Sequence, residues 1–135
     1  MQTLKLEIVT PTEIAFSEDV HMVTLPAIEG QMGVYPDHMH LITQIEPGEV
    51  IVTRDGQERY LAVGEGLVEI TARAVSIVTD MAVPAERIDE AKIEEARARA
   101  AARLQDVLSD EEVAIVNASL ARSLAQLQVR RRRRL

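Results

Sequence analysis

The chain has 135 residues, a net charge of −7, 47% hydrophobic and 2% aromatic residues, and no cysteine. Disulfides and thiolate metal sites are therefore excluded, which suits the cytosol, and the scarce aromatics leave little stacking surface for nucleic acid. Charge is uneven: residues 1–83 carry four basic and thirteen acidic side chains, net −9, whereas residues 84–135 carry eleven and nine, net +2, so the first part should repel nucleic acid and anionic membrane.

Near the N-terminus Leu4, Leu6 and Ile8 alternate with Lys5 and Glu7, as in a half-buried strand. No basic segment followed by a long apolar stretch occurs there, so no secretory leader is expected, and no apolar run is long enough for a membrane helix. Val20 to Leu25 is a second apolar run. Asp37-His38-Met39-His40 follows Pro36. On a strand, His38 and His40 would face the same way and could share a metal with Asp37. No fourth ligand is evident, and a polar turn leading into a strand explains the stretch equally well.

Val50-Ile51-Val52-Thr53 and Tyr60-Leu61-Ala62-Val63 flank Asp55-Gly56, the strongest hairpin signal in the chain, because a tight primed turn needs positive φ at its centre. Leu67 to Ile70 and Val75 to Val78 read as two more strands, with a turn near Ala72-Arg73. Strands at intervals of roughly ten residues predict a β-sandwich or flattened barrel. No helical segment interrupts them, which argues against a parallel α/β sheet.

The pattern changes at Pro84, and residues 88–129 contain neither Gly nor Pro. Asp89 suits an N-cap with Glu90 in the first turn, and Ile88 and Ile93 are spaced for a hydrophobic staple. Ile93, Ala96, Ala100, Leu104 and Val107 recur at helical spacing. Ser109-Asp110-Glu111-Glu112 reads as a capping box that restarts the helix. Val113, Val116, Leu120, Leu124 and Leu127 form a second stripe, and a break around Leu108 to Asp110 predicts an antiparallel helical hairpin. Both stripes are diluted by alanine, so the hairpin should be marginal alone and should lie on the β body, lie on a partner, or move between them.

No catalytic constellation is present: there is no Gly-rich phosphate loop, nucleophile elbow or paired-His helix motif. Asp89, Glu94 and Glu95 lie among Arg97, Arg99 and Arg103, where pairing along a helix accounts for them. The Arg130 to Arg134 tail reads as a solvated end that suits the helix dipole, with attraction to acidic partners, anionic lipid or nucleic acid as the alternative.

Residues 25–48, LPAIEGQMGVYPDHMHLITQIEPG, closely resemble the epsilon subunit of bacterial F-type ATP synthase, which typically reads EGEIGILPGHAPLLTALKPG here. The likeness extends through the opening strand, Gly66-Leu67-Val68-Glu69-Ile70, Ile88-Asp89-Glu90-Ala91 and Leu124-Ala125-Gln126-Leu127. It implies a β-sandwich of about ten strands in two sheets, residues 1–83, followed by a C-terminal antiparallel two-helix hairpin, residues 84–135. The implied role is that of a non-catalytic central-stalk subunit of a proton-translocating complex, peripheral on the cytoplasmic face of the inner membrane. Its sandwich would bind the gamma subunit and the c-subunit ring, coupling rotation to ATP synthesis. Its hairpin, hinged at Pro84 to Arg87, would extend into the alpha/beta catalytic head and inhibit hydrolysis. A stand-alone ATP-binding sensor or adaptor is the alternative.

By the same resemblance, Glu29, Gln31 and His38 are implied partner contacts of the sandwich, and Arg122 of the arm. Gln31 stands where many relatives carry Glu, Asp37 replaces a common Gly, and Glu65 replaces one of a Gly pair. Asp tolerates left-handed backbone, so the turn at residue 37 should survive. Some relatives bind a regulatory ATP through an Ile/Leu-Asp-x-x-Arg-Ala motif. Here Ile88, Asp89, Lys92 and Arg122 are the implied contacts, with the bulkier Ile93 in place of Ala and Gln126 where another Arg would help. No cofactor is required.

Overall fold

The computed structural model describes residues 2–132, and side chains through Arg131. The expected tail therefore falls partly outside the described residues, at Arg133 and Arg134.

Ten strands come first: β1 (Leu4–Val9), β2 (Ile14–Val20), β3 (Met22–Ala27), β4 (Gly30–Val34), β5 (Leu41–Ile45), β6 (Gly48–Arg54), β7 (Gln57–Val63), β8 (Gly66–Ile70), β9 (Ala74–Thr79) and β10 (Ala82–Pro84). Two helices follow, α1 (Glu90–Arg103) and α2 (Asp110–Arg132). Strand order splits into β10-β7-β6-β3-β4 and β5-β8-β9-β1-β2. The halves are joined only where Ala27 of β3 pairs with Ile45 of β5, so the two layers form one continuous ladder turned at a corner. β1 and β9 run parallel, whereas the other pairings described are antiparallel. Leu6, Ile8, Val52, Leu61, Val68 and Ile77 are among the fully covered side chains between the layers.

Local chemistry explains the tight connections. Asp55 and Gly56 have φ of 52° and 75°, the left-handed pair a two-residue hairpin needs between β6 and β7. Asp37 also sits at positive φ, 68°, with its N–H donating to the Ala72 carbonyl at 2.7 Å. The Val20 to Leu25 run is not one strand: it breaks at His21, between β2 and β3, where Nδ1 accepts a hydrogen bond from the Asp55 N–H at 3.0 Å. The strands β2, β4, β5 and β10 lack a clean alternation of their own, and their pairing partners define them.

Both helix starts follow the expected caps. The Asp89 carboxylate accepts from the Lys92 N–H at 3.3 Å. Ser109 Oγ accepts from the Glu112 N–H, and Glu112 Oε1 accepts from the Ser109 N–H, each at 3.2 Å. The first helix ends sooner than the stripe to Val107 suggests. After Arg103 the chain tightens through i→i+3 bonds from Leu104, Gln105 and Asp106, and Val107 is fully exposed. Ala100, Ala101 and Ala102 give that end little to bury. The break therefore spans residues 104–109 rather than 108–110.

In α2, Val116 and Leu127 are buried as expected, but Leu124 is 44% exposed, while Ser123, Ala125 and Val129 are buried. The reason is two-sided packing: α2 lies between α1 and the outer face of β6 and β7. That needs a wider arc of small side chains than one apolar stripe provides. α1 rests on α2, outside the sandwich, and has no buried residue.

Candidate functional site

Two surfaces of the sandwich carry apolar side chains outward, and they differ in what covers them. On the β6-β7 face, Ile51 and Ala62 point away from the core yet are buried, because α2 lies over them. Ala62, Ala85, Ile88 and Val129 form an apolar cluster at the root of the arm, flanked by Tyr60, Met81, Val83 and Ile93. In the stretch Pro84 to Arg87, expected as a hinge, Pro84 ends β10 and Ala85–Arg87 form a 3-10 turn whose Ala85 is anchored in this cluster. Gln126 Nε2 donates to Met81 Sδ at 3.1 Å, and Arg122 Nη1 donates to Asp80 Oδ2 at 3.2 Å.

Among the described residues, none gives the opposite layer such a cover. Directly paired residues Ile14, Val9, Val78 and Leu67 make a row across β2, β1, β9 and β8. Ile14, Val78 and Leu67 are 62%, 60% and 56% exposed. Ile42 on β5, 62% exposed, stands diagonal to Leu67. Contiguous exposed apolar surface of this kind marks an interaction site. These residues were absent from the sequence-level candidates. The available signal was the adjacent pairs Leu67-Val68 and Ile77-Val78, in which both faces of a strand are apolar.

The expected partner residues do not gather in one place. Glu29 lies in the two-residue turn joining β3 to β4, and Gln31 follows it, exposed, near the start of β4. His38 lies beyond the other end of β4, with its Nδ1–H placed to donate to the Met39 carbonyl at 2.7 Å. His38 and His40 are in a loop rather than on a strand, so the same-face geometry for sharing a metal does not apply. His40 Nε2 instead meets Glu69 Oε2 at 3.1 Å, and Asp37 turns the backbone. Arg122 is on α2, held to Asp80.

Of the implied ATP contacts, Ile88 is packed in the apolar cluster, Asp89 caps α1, and Arg122 is engaged by Asp80. Lys92 is exposed. With the arm docked, three of the four are thus occupied by the protein itself.

Residues 3–85 match the family described as ATP synthase, Delta/Epsilon chain, beta-sandwich domain. The ATP synthase epsilon chain of Herpetosiphon aurantiacus is 37% identical over 131 residues, covering 97% of this chain and 96% of that one. The chain belongs to the ATP synthase epsilon chain family. The epsilon chain of Polaromonas naphthalenivorans is 35% identical over 135 residues, covering 99% and 98% of the two. A chain in the mitochondrial ATP synthase of Euglena gracilis, solved as an OSCP/F1/c-ring assembly, superposes with a TM-score of 0.78 at 25% identity, over 95% of this chain and 81% of that one. An epsilon chain is an accessory, non-catalytic subunit of the synthase, and among the described residues no helix is long and apolar enough to cross a membrane.

In this epsilon-family chain the arm is closed by ion pairs at both ends. Arg103 meets Glu112 across the hairpin tip at 3.5 Å. At the root, Arg131 of α2 donates to Glu90, at 3.0 Å, and to Glu94 of α1. Burial pushes the Glu94 carboxyl up, but hydrogen bonds from Arg97 and Arg131 outweigh it and hold the group below its ordinary value. A carboxylate with a depressed folded-state pKa stabilises above its unfolded value, and that contribution is lost as pH falls through the folded value. Amide exchange in α1 should therefore accelerate as pH drops below about 4.5, after correction for intrinsic rates. Glu94→Gln should reduce that acceleration, the remainder coming from Glu112, which the Ser109 hydrogen bonds and Arg103 also hold low. A pH response identical in the two proteins would show that the Glu94 pair does not close the arm.

Proposed function

We propose that this chain is the rotor-docking and regulatory subunit of a proton-translocating F-type synthase, and that the apolar row centred on Val78 and Leu67 is the surface covered by the gamma subunit. The observation that supports this is the contrast between the two outer faces. One is covered by α2, and the other exposes Ile14, Leu67 and Val78 with nothing from the described residues over them. The c-ring contact is assigned to the Glu29 and Gln31 tip, at the turn that joins β3 to β4. Coupling is thus mechanical: the sandwich is a stiff adaptor between gamma and the ring and holds no catalytic group. In the assembled enzyme the chain sits peripherally, on the cytoplasmic face of the inner membrane.

The arm is proposed to regulate hydrolysis by leaving the sandwich and entering the alpha/beta head. Its docked contacts are few, partly exposed and alanine-rich, so the two placements differ by only a few kcal/mol. A regulatory ATP enters this proposal only as a competitor that would take Arg122 from Asp80 and Asp89 from its cap. Calorimetry of the isolated chain with ATP and magnesium checks that part.

The docking face is tested with purified gamma. Leu67→Glu places a carboxylate on the apolar row without touching the core and should weaken gamma binding by about 100-fold or more. Retention of wild-type affinity would remove the face from consideration.

A further inference from the structure

The strand that carries Val78 of the apolar row also reaches the arm. Val78 is followed by Thr79 and then by Asp80, which accepts from Arg122 of α2. This strand end is pinned. The Thr79 hydroxyl, 3% exposed as a residue, donates to the Glu65 carbonyl at 3.0 Å, and the Asp80 N–H donates to the same carbonyl at 3.3 Å. The turn at residues 64–66 presses against it. A Cβ on Gly64 would fall 1.8 Å from Asp80 Oδ1, and one on Gly66 would fall 2.0 Å from the Val78 carbonyl oxygen. The Asp80 backbone is thus held to the same turn as that of Val78.

Asp80 also borders a depression of about 440 Å³ that continues the apolar row, floored by Pro11, Leu67 and Val78 and rimmed by Glu65 and Asp80. The rim is acidic, within a body of net charge −9 over residues 1–83. An apolar floor with carboxylates along one edge fits an apolar side chain accompanied by a Lys or Arg. The existing pair is a weak competitor. It is a single contact rather than a bidentate fork, and the Arg122 and Asp80 side chains are 34% and 44% exposed.

We propose that Asp80 is a shared acceptor. A basic side chain of gamma, seated beside the apolar row, competes with Arg122 for the Asp80 carboxylate, so docking on the rotor loosens the arm. A second cation brought to the same carboxylate repels the Arg122 guanidinium and takes lone pairs that α2 would otherwise use. By linkage the coupling is reciprocal: removing the Arg122 contact must strengthen rotor binding by the same factor that rotor binding weakens the arm. This inference rests on the docking face proposed above and adds to it a partner chemistry and a direct route from that face to the arm.

The test measures gamma affinity for the full-length chain at low and high salt, together with hydrogen exchange in α2 before and after gamma is added. Arg122→Gln should tighten gamma binding by about 3- to 10-fold at low salt, and the gain should shrink at high salt. Asp80→Asn should weaken binding, and the double variant should bind like Asp80→Asn alone. Gamma should accelerate α2 exchange in the wild type and leave it unchanged in Asp80→Asn. Equal gamma affinity for wild type and Arg122→Gln, or α2 exchange unaffected by gamma in the wild type, would overturn the inference. Leu67→Glu separates the two readings. If it keeps wild-type affinity, the docking face itself is wrong and the inference falls with it. If it loses affinity while Arg122→Gln behaves as wild type, only the shared acceptor is wrong.

Discussion

Val129→Asp is expected to detach the helical arm while leaving the sandwich folded. Val129 is fully buried against Ala62, Ala85 and Ile88, at the point where α2 is anchored to the sheet. The cluster is built of apolar side chains and Tyr60 and supplies no cation, so desolvating a carboxylate there costs several kcal/mol. The rest of the arm offers little to offset this. α1 buries no residue completely, α2 is rich in alanine, and the Arg122–Asp80 and Arg131–Glu90 pairs are partly exposed and individually weak. The sandwich core is separate, built from residues of β1 to β9 between the two layers, and α2 contributes none of it. Hydrogen exchange should therefore show α2 protection falling by about 100-fold or more, while strand amides keep theirs. In the reconstituted synthase, arm release should lower ATP hydrolysis, and removing residues 84–135 from the complex should raise it. Unchanged α2 protection would show that the cluster is not what anchors the arm.

Gly66→Ala should have the largest effect on the sandwich itself. The new methyl group would lie 2.0 Å from the Val78 carbonyl oxygen and 2.9 Å from the Thr79 Cα, and both are backbone atoms of a paired strand. No rotamer change relieves such a contact, so β8 and β9 must separate or the turn must unwind. A destabilisation of about 3 kcal/mol is expected, at the upper end for overpacking, with a fall in Tm of about 12 °C or more for a domain of this size. The same shift would displace Leu67 and Val78, so gamma binding should weaken in proportion. Gly56→Ala is the control. Its Cβ meets nothing within 4 Å, and only the left-handed φ of 75° opposes it, at a cost of about 1 kcal/mol. Urea unfolding of the two variants compares them directly. Similar midpoints would mean that the Gly66 contact relaxes without cost.

Local features of this chain were legible because their causes are local. Asp55-Gly56 dictated a hairpin, and both residues take the positive φ that such a turn requires. Asp37 kept the left-handed turn that its replacement of Gly put in question. Asp89, and Ser109 with Glu112, capped the helices whose starts they marked. The alternation of Leu4, Leu6 and Ile8 placed β1, and Leu6 and Ile8 are in the core. Misreadings arose where neighbours distant in sequence set the outcome. The Val20 to Leu25 run looks continuous, but the strand pairing breaks it at His21. Leu124 sits at helical spacing with Val116, Leu120 and Leu127, yet the placement of α2 between α1 and the sheet turns it outward.

The functional surfaces show the division most plainly. Ile51 and Ala62, on one layer, and Leu67 and Val78, on the other, stand in the same sequence pattern: an outward apolar residue beside an inward one. Adjacent apolar pairs on both layers and an alanine-diluted helical stretch after them are written in the sequence. It could not determine which face the arm takes, because burial is the sum of contacts supplied by residues distant in sequence. Tertiary packing decided that α2 covers β6 and β7, where Ala85 and Ile88 meet Val129. It left the row from Ile14 to Leu67 uncovered by the described residues.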